Sequence, residues 1–381
     1  MFELTEEQLM IQSTVRKIAT EKIMPRAQEI DQTDEFPWDI AQILYENNIL
    51  GMALPEKYGG FHANALTMSL VIEECARALA CVGPMLLSTN SVIRLIDLLG
   101  NEEQKERFFS RLSKGPKLCA FCLTEPNAGS DAHSLKTLAS KVEGGYVLNG
   151  RKCFITLAIV ADLYLIFART GQEREISVFI AEKETEGLSF GKVEKKMGLH
   201  GSITADLILE NAFISEDNRL GKEGEGWYAL NFLANSMRAW GAASIALGIA
   251  QGALDYAVPY AKQREQFGRP IAEFQAIQFM IADMAMLVEA ARSLVRMTNA
   301  RVDREAGRIS RDTLAMVAMA KCFASDVAMK VTTDAVQILG GYGYMQEYPV
   351  ERMMRDAKAI QILDGSNQIQ RLIIGRNIIK K

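Results

Sequence analysis

The chain has 381 residues, of which 49% are hydrophobic and 24% are charged, a composition typical of a globular protein and not of a disordered or collagen-like chain. At roughly 100–200 residues per domain, this length predicts two or three domains. Lys and Arg number 43 against 47 Asp and Glu, so the net charge is −4. Binding to nucleic acid without sequence preference needs a concentrated basic surface, and we therefore expect no nucleic-acid partner.

The sequence carries few signals for a membrane, for secretion or for a metal. We find no run of about 18 apolar residues and expect no membrane association. The first residues, MFELTEEQLM, lack the basic and apolar regions of a signal peptide. The six cysteines do not form paired CxxC sites and only three histidines are present, so we expect reduced thiols, no metal and a cytoplasmic location.

Residues 1–115 are predicted to be mostly helical. Apolar residues recur near helical spacing in the first 25 residues, with charges between them. The tripeptide Phe36-Pro37-Trp38 indicates the start of a second helix, because proline suits a first helical turn. Two further helices are expected over residues 68–80 and 101–114. Tyr58-Gly59-Gly60 indicates a loop.

Residues 116–225 have a different sequence pattern, with short runs of β-forming residues. Residues 146–150 predict a strand that ends in a hairpin turn at Asn149-Gly150. Further strands are expected over residues 163–168, 176–181 and 203–209. Short strands at this spacing favour a small antiparallel barrel or sandwich.

Residues 226–381 return to the helical period. Helices are expected over residues 242–260, 280–304, 310–339 and 368–379. They are typical of a helix bundle with tight crossings. The predicted fold is therefore mainly α with a central β domain, and the predicted domains are 1–115, 116–225 and 226–381.

Two segments of the β region carry polar groups suited to a ligand. Residues 122–131 combine two hydroxyls, two carboxylates, a proline and a glycine, which can expose backbone N–H groups and hydroxyls, although a polar loop between domains would have the same composition. In residues 149–156, Phe154 and Thr156 are two positions apart and hence on one strand face. They could hold a flat ring, or they could be a core phenylalanine and a satisfied threonine.

Three segments of the helical region are also candidates. Arg264, between two helices, could clamp a phosphate or favour the helix dipole. Gly340, Gly341 and Gly343 allow close backbone approach to a ligand, or cap a helix, and they fit neither a P-loop nor a Rossmann loop. Asp364, just before the last helix, could be a helix cap or a general base.

In this order and spacing the five segments resemble the acyl-CoA dehydrogenase family, over the whole chain. The motifs that carry the resemblance are residues 122–131 (CLTEPNAGSD) and the stretch from Gln337 through Gly340-Gly341 to Arg352 and Asp356. The resemblance implies a helical N-terminal domain, a central β domain and a C-terminal four-helix bundle. It also implies FAD, an acyl-CoA substrate, a homotetramer and an electron-transferring flavoprotein as electron acceptor.

The resemblance assigns roles residue by residue. Thr124 would bond the polar edge of the flavin, Phe154 stands where the family usually has Trp, and Thr156 would approach flavin N5. Arg264, Phe267 and Gln275 would reach FAD from a neighbouring subunit. The implied cofactor contacts are Phe121, Leu123, Thr124, Gly129, Ser130, Phe154, Ile155, Thr156, Arg264, Phe267, Gln275, Gln337, Gly340, Gly341, Ser366 and Gln368. The implied substrate contacts are Ser130, Asn235, Arg238, Leu363 and Gly365.

The chain departs from the family at the catalytic position. An aromatic residue followed by Glu-Gly is usual, and here the sequence is Leu363-Asp364-Gly365. Some relatives place the base just before the residue that matches Arg238, but this chain has Met237 there, which leaves Asp364 as the predicted base. The shorter acid and the smaller Leu363 favour a bulky, α-branched or alicyclic acyl group such as cyclohexanecarboxyl, and ordinary short or branched chains stay open as the alternative.

Other functions stay open at this point. Nitroalkane oxidase resembles the family and uses an aspartate base, so a flavin oxidase is one alternative. A dehydrogenase of carrier-protein-bound acyl groups is another, and a scaffold without flavin is the alternative outside the enzymes.

Overall fold

The computed structural model describes residues 3–171, 175–305 and 309–379, and for residues 232–235 it describes the backbone but not the side chains. The chain begins with a helical region. Its helices are α1 (Glu6–Ile18), α2 (Ala27–Thr33), α3 (Trp38–Glu46), α4 (Ala65–Ala78), α5 (Val82–Leu99) and α6 (Glu102–Leu112). Thr5 and Asn101 begin α1 and α6 with reciprocal capping boxes, in which each cap side chain accepts an N–H and the glutamine three residues on bonds back.

The start of α3 confirms the prediction from Phe36-Pro37-Trp38, with Pro37 immediately before the first helical residue.

Helix α5 was not predicted. Nearly every residue from Val82 to Ile96 is buried, so the helix has no polar face and its sequence shows no amphipathic period. By length and composition alone α5 would suffice to cross a membrane, but 78% of it is buried inside the fold, as in a core helix.

The middle of the chain forms one hydrogen-bonded β sheet with the strand order β6-β7-β3-β2-β4-β5-β8, and β1 pairs beside β4. Strands β1 and β4 are parallel, with Cys119 opposite Leu163, and most neighbouring pairs are antiparallel. The strands are β1 (Cys119–Cys122), β2 (Leu138–Val142), β3 (Gly145–Thr156), β4 (Leu163–Arg169), β5 (Ile176–Glu182), β6 (Leu188–Val193), β7 (Thr204–Ser215) and β8 (Arg219–Leu220).

The predicted hairpin turn at Asn149-Gly150 is wrong. Strand β3 continues through both residues, and the register with β7 shifts between Leu148 and Gly150. Asn149 bonds across the irregularity, because its side-chain oxygen accepts the Asn211 N–H at 2.8 Å. The Asn-Gly pair therefore marks a β-bulge, a feature that shares the turn's demand for unusual backbone conformations.

The C-terminal part is a helical bundle. Its helices are α7 (Gly226–Met237), α8 (Ala243–Gln263), α9 (Gln275–Arg304), α10 (Arg311–Leu339), α11 (Pro349–Ile360) and α12 (Asn367–Ile379), and the small strands β9 (Glu265–Gln266) and β10 (Arg269–Pro270) form a hairpin between α8 and α9. Helices α4 and α8 approach closely, since a Cβ at Gly248 would lie 2.4 Å from the Glu73 carbonyl oxygen. The mainly α fold with a central β region agrees with the prediction, whereas the domain boundaries stay predictions.

The contacts between the β region and the helices around it include hydrogen bonds and a ring stack. The Ser88 hydroxyl on α5 donates to the Cys119 carbonyl at 2.8 Å. His133 stacks on Trp227 of α7 with ring centroids 4.0 Å apart. The Asp356 carboxylate on α11 accepts the Leu199 N–H at 2.5 Å. These contacts connect the start of β1, the segment before β2 and the segment between β6 and β7 to α5, α7 and α11.

Candidate active site

The segment after β1 is held by a buried ion pair. Lys152 on β3 is fully buried and donates to Glu125 Oε1 at 2.7 Å and to the Leu123 carbonyl at 3.2 Å. Glu125 also accepts two N–H groups and a hydroxyl from Lys136 and Thr137. Burial alone would raise the pKa of Glu125, but the Lys152 charge and these hydrogen bonds hold that pKa below its ordinary value. The pair fixes the backbone between Leu123 and Glu125.

Strand β3 presents an aromatic ring next to this segment. The Cys153 N–H donates to the Thr124 carbonyl at 2.8 Å, so the two segments are adjacent. Phe154 lies in a second irregularity, with φ of +56° and a side chain that is 69% exposed, while Thr156 is half-buried. Ile155 between them is buried, so the exposure of Phe154 and Thr156 agrees with the predicted shared face, although the register with β7 shifts between Lys152 and Ile155. A large apolar ring held out of the core at a bulge is available to a ligand.

The loop between α11 and α12 is held by three donors. The Arg238 Nε donates to the Asp364 carbonyl at 2.8 Å. Lys321 Nζ and Gln370 Nε2 donate to the Gly365 carbonyl at 2.9 Å and 2.8 Å. Asp364 and Gly365 have φ of +54° and +88°, and a Cβ at Gly365 would lie 2.7 Å from the Gln370 amide nitrogen. The glycine is required there, and the strained aspartate is fixed by its neighbours.

The Asp364 carboxyl group is unusual among the described residues. Its Oδ2 is buried and has no hydrogen-bond partner there. Burial raises the pKa of Asp364 above its ordinary value, while Lys321 and Arg238 oppose this rise. No described hydrogen bond links this side chain to the N-terminal N–H groups of α12, so the helix-cap hypothesis has no support from the geometry. A carboxylate with one buried oxygen that has no hydrogen-bond partner among the described residues, and with a raised pKa, is suited to accept a proton.

A cavity of about 480 Å³ lies beside the end of α10. Its lining includes Tyr260, Arg264, Gly340, Gly341 and Tyr342. Gly340 caps α10, as the capping alternative predicted, yet a Cβ at Gly340 or Gly341 would meet nothing within 4 Å. The Arg264 guanidinium lies 5.4 Å from the centre of the Tyr342 ring. The cavity thus offers a cation, an aromatic face and open backbone to an anionic ligand.

The hairpin that follows α8 projects from the fold. Phe267 and Gly268 form its tip with positive φ values, and the Phe267 side chain is 94% exposed. Gln275 and Gln337 are exposed as well. These residues do not contact the segment after β1 among the described contacts.

The predicted site residues therefore fall into three groups, and their functional roles stay predictions. The group beside the sheet consists of Phe121, Leu123, Thr124, Gly129, Ser130, Phe154 and Thr156. The group at the cavity and the hairpin consists of Arg264, Phe267, Gln275, Gln337, Gly340 and Gly341. The third group lies at the last loop and consists of Leu363, Asp364, Gly365 and Ser366 on the loop, Gln368 at the start of α12, and Arg238, which follows α7 and bonds to the loop. Ile155 is 2% exposed, so only its backbone is available to a ligand. The Asn235 side chain lies outside the described residues.

Two features of the site were missed in the sequence. Lys321 stands alone among apolar and small residues of α10, and such a lone charge in a buried stretch was a usable signal. The pairing of Glu125 with Lys152 could not be seen, because 27 positions separate them and their contact depends on how β3 folds over the preceding segment.

Models of one protein family match most of the chain. The acyl-CoA dehydrogenase N-terminal, middle and C-terminal domains match residues 5–116, 120–212 and 224–379.

Proteins of similar sequence and structure match along the whole chain. An acyl-CoA dehydrogenase of Bacillus subtilis is 47% identical over 99% of both chains. Cyclohex-1-ene-1-carbonyl-CoA dehydrogenases of Syntrophus aciditrophicus and Geobacter metallireducens are 44% and 43% identical over 100% of this chain and over 91% and 100% of theirs. The butyryl-CoA dehydrogenase structure from Megasphaera elsdenii superposes on this chain with a TM-score of 0.94. A chain in a structure of the electron-transferring flavoprotein of Acidaminococcus fermentans superposes with a TM-score of 0.95. These two are 41% and 43% identical, and the matches cover 100% of all the chains.

Proposed function

The chain belongs to the acyl-CoA dehydrogenase family, and from that premise we propose that it removes the α-proton of an acyl-CoA thioester with Asp364 while the β-hydrogen leaves as hydride. The observation that carries this assignment is the buried Asp364 Oδ2 without a hydrogen-bond partner among the described residues. The thioester Cα–H is weakly acidic, so its removal needs a positioned base.

FAD is the cofactor of this family. The residues of this chain fit FAD, because Phe154 offers an exposed ring beside Thr124 and Thr156, and Arg264 lines a cavity with the open backbone of Gly340 and Gly341. When bound, the flavin supplies the acceptor for the hydride. We assign the flavin ring to the first group and the phosphates and adenosine to the second.

The residues around Asp364 define how the base works. Arg238, Lys321 and Gln370 hold its loop by the carbonyls of Asp364 and Gly365, so the carboxylate has a fixed direction. Burial of Oδ2 raises the proton affinity of Asp364, which favours transfer from a weak carbon acid. A displacement of roughly 1 Å at such a position can cost about 100-fold in rate, which explains why so many donors hold one loop.

The substrate that we propose has an alicyclic or branched acyl group. Aspartate is one methylene shorter than the usual glutamate, so it suits an α-carbon that lies closer to the base. Leu363 is half-buried and packs against the core, where an aromatic side chain would take more volume. The similarity to two cyclohex-1-ene-1-carbonyl-CoA dehydrogenases supports a ring substrate.

We also propose that an electron-transferring flavoprotein takes the electrons and that the chain is a homotetramer. The similarity to a chain in the structure of such a flavoprotein supports the first. Two observations support the second. The Phe267 hairpin is exposed, and the cavity group lies on a different part of the chain from the sheet group. Both are expected of an assembly in which one copy completes the FAD site of another.

The test uses anaerobic flavin bleaching with cyclohexanecarboxyl-CoA, cyclohex-1-ene-1-carbonyl-CoA and butyryl-CoA. We expect bleaching by one of the ring thioesters at the highest kcat/KM. Asp364→Asn should keep FAD and ligand binding but slow bleaching by about 10²–10⁴-fold, the usual worth of a general base.

The alternatives give different results. An active Asp364→Asn enzyme would disprove the assignment of the base. Bleaching by a nitroalkane with rapid return of colour in air would indicate the oxidase. Bleaching by a carrier-protein thioester and not by its CoA counterpart would replace the proposed substrate class.

A further inference from the structure

Lys321 on α10 is a buried cation whose role the mechanism does not yet explain. Its side chain is fully buried. Its Nζ donates to the Gly365 carbonyl and to Asn367 Oδ1, both at 2.9 Å. An ammonium group has three N–H donors, and the third finds no acceptor among the described residues. Buried ammonium groups are costly unless they are paired, so this position calls for a reason.

The charges that face Lys321 come from three elements. Asp326 and Cys322 lie on the same helix, Arg238 follows α7, and Asp364 lies on the loop before α12. Asp326 is already paired with Arg371 of α12 at 2.5 Å. The carboxylate at this junction without an ion pair among the described residues is Asp364, which has a buried oxygen with no partner there. The unused donor and the unused acceptor thus belong to neighbouring groups.

We propose that Lys321 is a positioning residue for Asp364: its hydrogen bonds fix the Gly365 peptide, and its positive charge holds the neighbouring carboxyl group in the ionised form that can accept a proton. This inference rests on the proposed role of Asp364 as the base. Lys321 itself exchanges no proton with the substrate.

The charge of Lys321 should be visible in the pH dependence. Burial raises the pKa of Asp364, and Lys321 is the first of the two cations that oppose this rise. Without Lys321 the pKa of Asp364 rises further, and the acidic limb of the pH–rate profile moves to higher pH. A nearby opposite charge usually lowers a carboxyl pKa by about 1–3 units, so we expect a shift of at least about one pH unit.

A second effect is independent of catalysis. Burial lowers the pKa of Lys321 to about 8 from its ordinary value of 10.5. Between these two values the unfolded chain binds more protons than the folded chain, so stability rises with pH. The thermal stability of the wild type relative to a variant without this amine should therefore rise above about pH 8 and be flat just below it.

The experiment compares Lys321→Met and Lys321→Gln with the wild type, all loaded with FAD. Lys321→Met removes the charge and the hydrogen bonds, whereas Lys321→Gln keeps a donor for the Gly365 carbonyl. We expect the acidic limb of the bleaching rate to shift upward in both, and the rate above that limb to fall more in Lys321→Met. Melting temperatures across the same pH range give the second readout.

The control is Lys330→Met, which removes a lysine of the same helix that pairs with Asp334. It should keep the position of the acidic limb. A folded Lys321→Gln enzyme with the wild-type acidic limb would overturn the proposal, and Lys321→Gln serves if Lys321→Met does not fold. In the Asp364→Asn background, where Asp364 no longer titrates, a stability relative to the Lys321 variant that rises already below about pH 7 would overturn it too, because the amine would then be neutral at working pH. Asp364→Asn, measured in parallel, shows separately whether Asp364 is the base.

Discussion

At the proposed base, this chain has Asp364, whose side chain is one methylene shorter than the glutamate that is usual in its family. The carbonyl groups of Asp364 and Gly365 are held by Arg238, Lys321 and Gln370, so the backbone cannot readily move to compensate for a different side-chain length. The length of the acid should therefore control which α-carbon is reached. Side-chain length becomes a determinant of substrate choice because the loop is rigid.

Asp364→Glu tests this argument. The longer acid should press against a ring at the α-carbon and lower kcat/KM for a ring thioester by about 10–100-fold, the order of cost of a misplaced base. Activity on butyryl-CoA should hold or rise, because a straight chain leaves its α-carbon farther from the base. The ratio of the two kcat/KM values is the measurement.

Asp217→Glu provides the matched control for Asp364→Glu, since Asp217 is an exposed residue between β7 and β8. It should leave the ratio unchanged. An equal fall of both activities in Asp364→Glu would contradict the argument from length and would indicate general damage to the site.

At the scale of elements, the ion pair of Glu125 and Lys152 connects β3 to the segment that carries Thr124. Both side chains are buried and four donors converge on the Glu125 carboxylate. The removal of one partner leaves an uncompensated buried charge. Removing one partner therefore lowers stability far more than replacing both partners with apolar residues of the same size would.

Glu125→Gln should therefore lower the free energy of unfolding by about 3–5 kcal/mol and reduce the FAD content, because Lys152 loses its charge partner. The double variant with Lys152→Met should recover much of the loss. Urea unfolding with excess FAD measures the first effect, and the ratio of absorbance at 450 and 280 nm measures the second. Glu29→Gln, at an exposed i,i+3 pair with Arg26, should leave the free energy of unfolding nearly unchanged. Similar losses in the two single variants would refute the role of the buried pair.

The sequence predicted elements where local chemistry decides the structure. Phe36-Pro37-Trp38 predicted the start of α3, and the composition of residues 122–131 predicted a polar segment, of which Pro126, Asn127 and residues 129–131 are exposed. The predictions from the sequence failed where tertiary packing decides the local structure. Asn149-Gly150 is a bulge because β7 continues to pair with β3 on both sides of it, and α5 has no amphipathic period because it is surrounded by protein. Asp364 was a candidate from its position before the last helix and was preferred as the base through the resemblance, whereas Lys321 required the fold, since 43 positions separate the two residues in sequence.

At the scale of the whole molecule, one chain presents the parts of the proposed FAD site in separate places. Phe154 and Thr124 lie at the sheet, and Arg264 lies at the cavity beside the end of α10, whose lining contains no residue of the sheet. A large apolar ring that is 94% exposed, as in Phe267, is unusual on a free surface and typical of a contact with another chain. The arrangement predicts that cofactor binding and assembly depend on each other.

Arg264→Ala tests this dependence. A charge-assisted hydrogen bond to a phosphate is worth about 1.5–3 kcal/mol, so the variant should bind FAD about 10–100-fold more weakly. If the ligand bridges two copies, the loss of FAD should lower the mass of the assembly at the same protein concentration, and added FAD should restore it. Flavin content and light-scattering mass, measured on the same sample, should fall together. Arg107→Ala on α6, an exposed arginine that contacts Asp217 and Asn218 of its own chain, should change neither quantity. Full flavin content with an intact assembly in Arg264→Ala would refute the bridging role, and a loss of flavin from an assembly of unchanged mass would restrict Arg264 to cofactor binding.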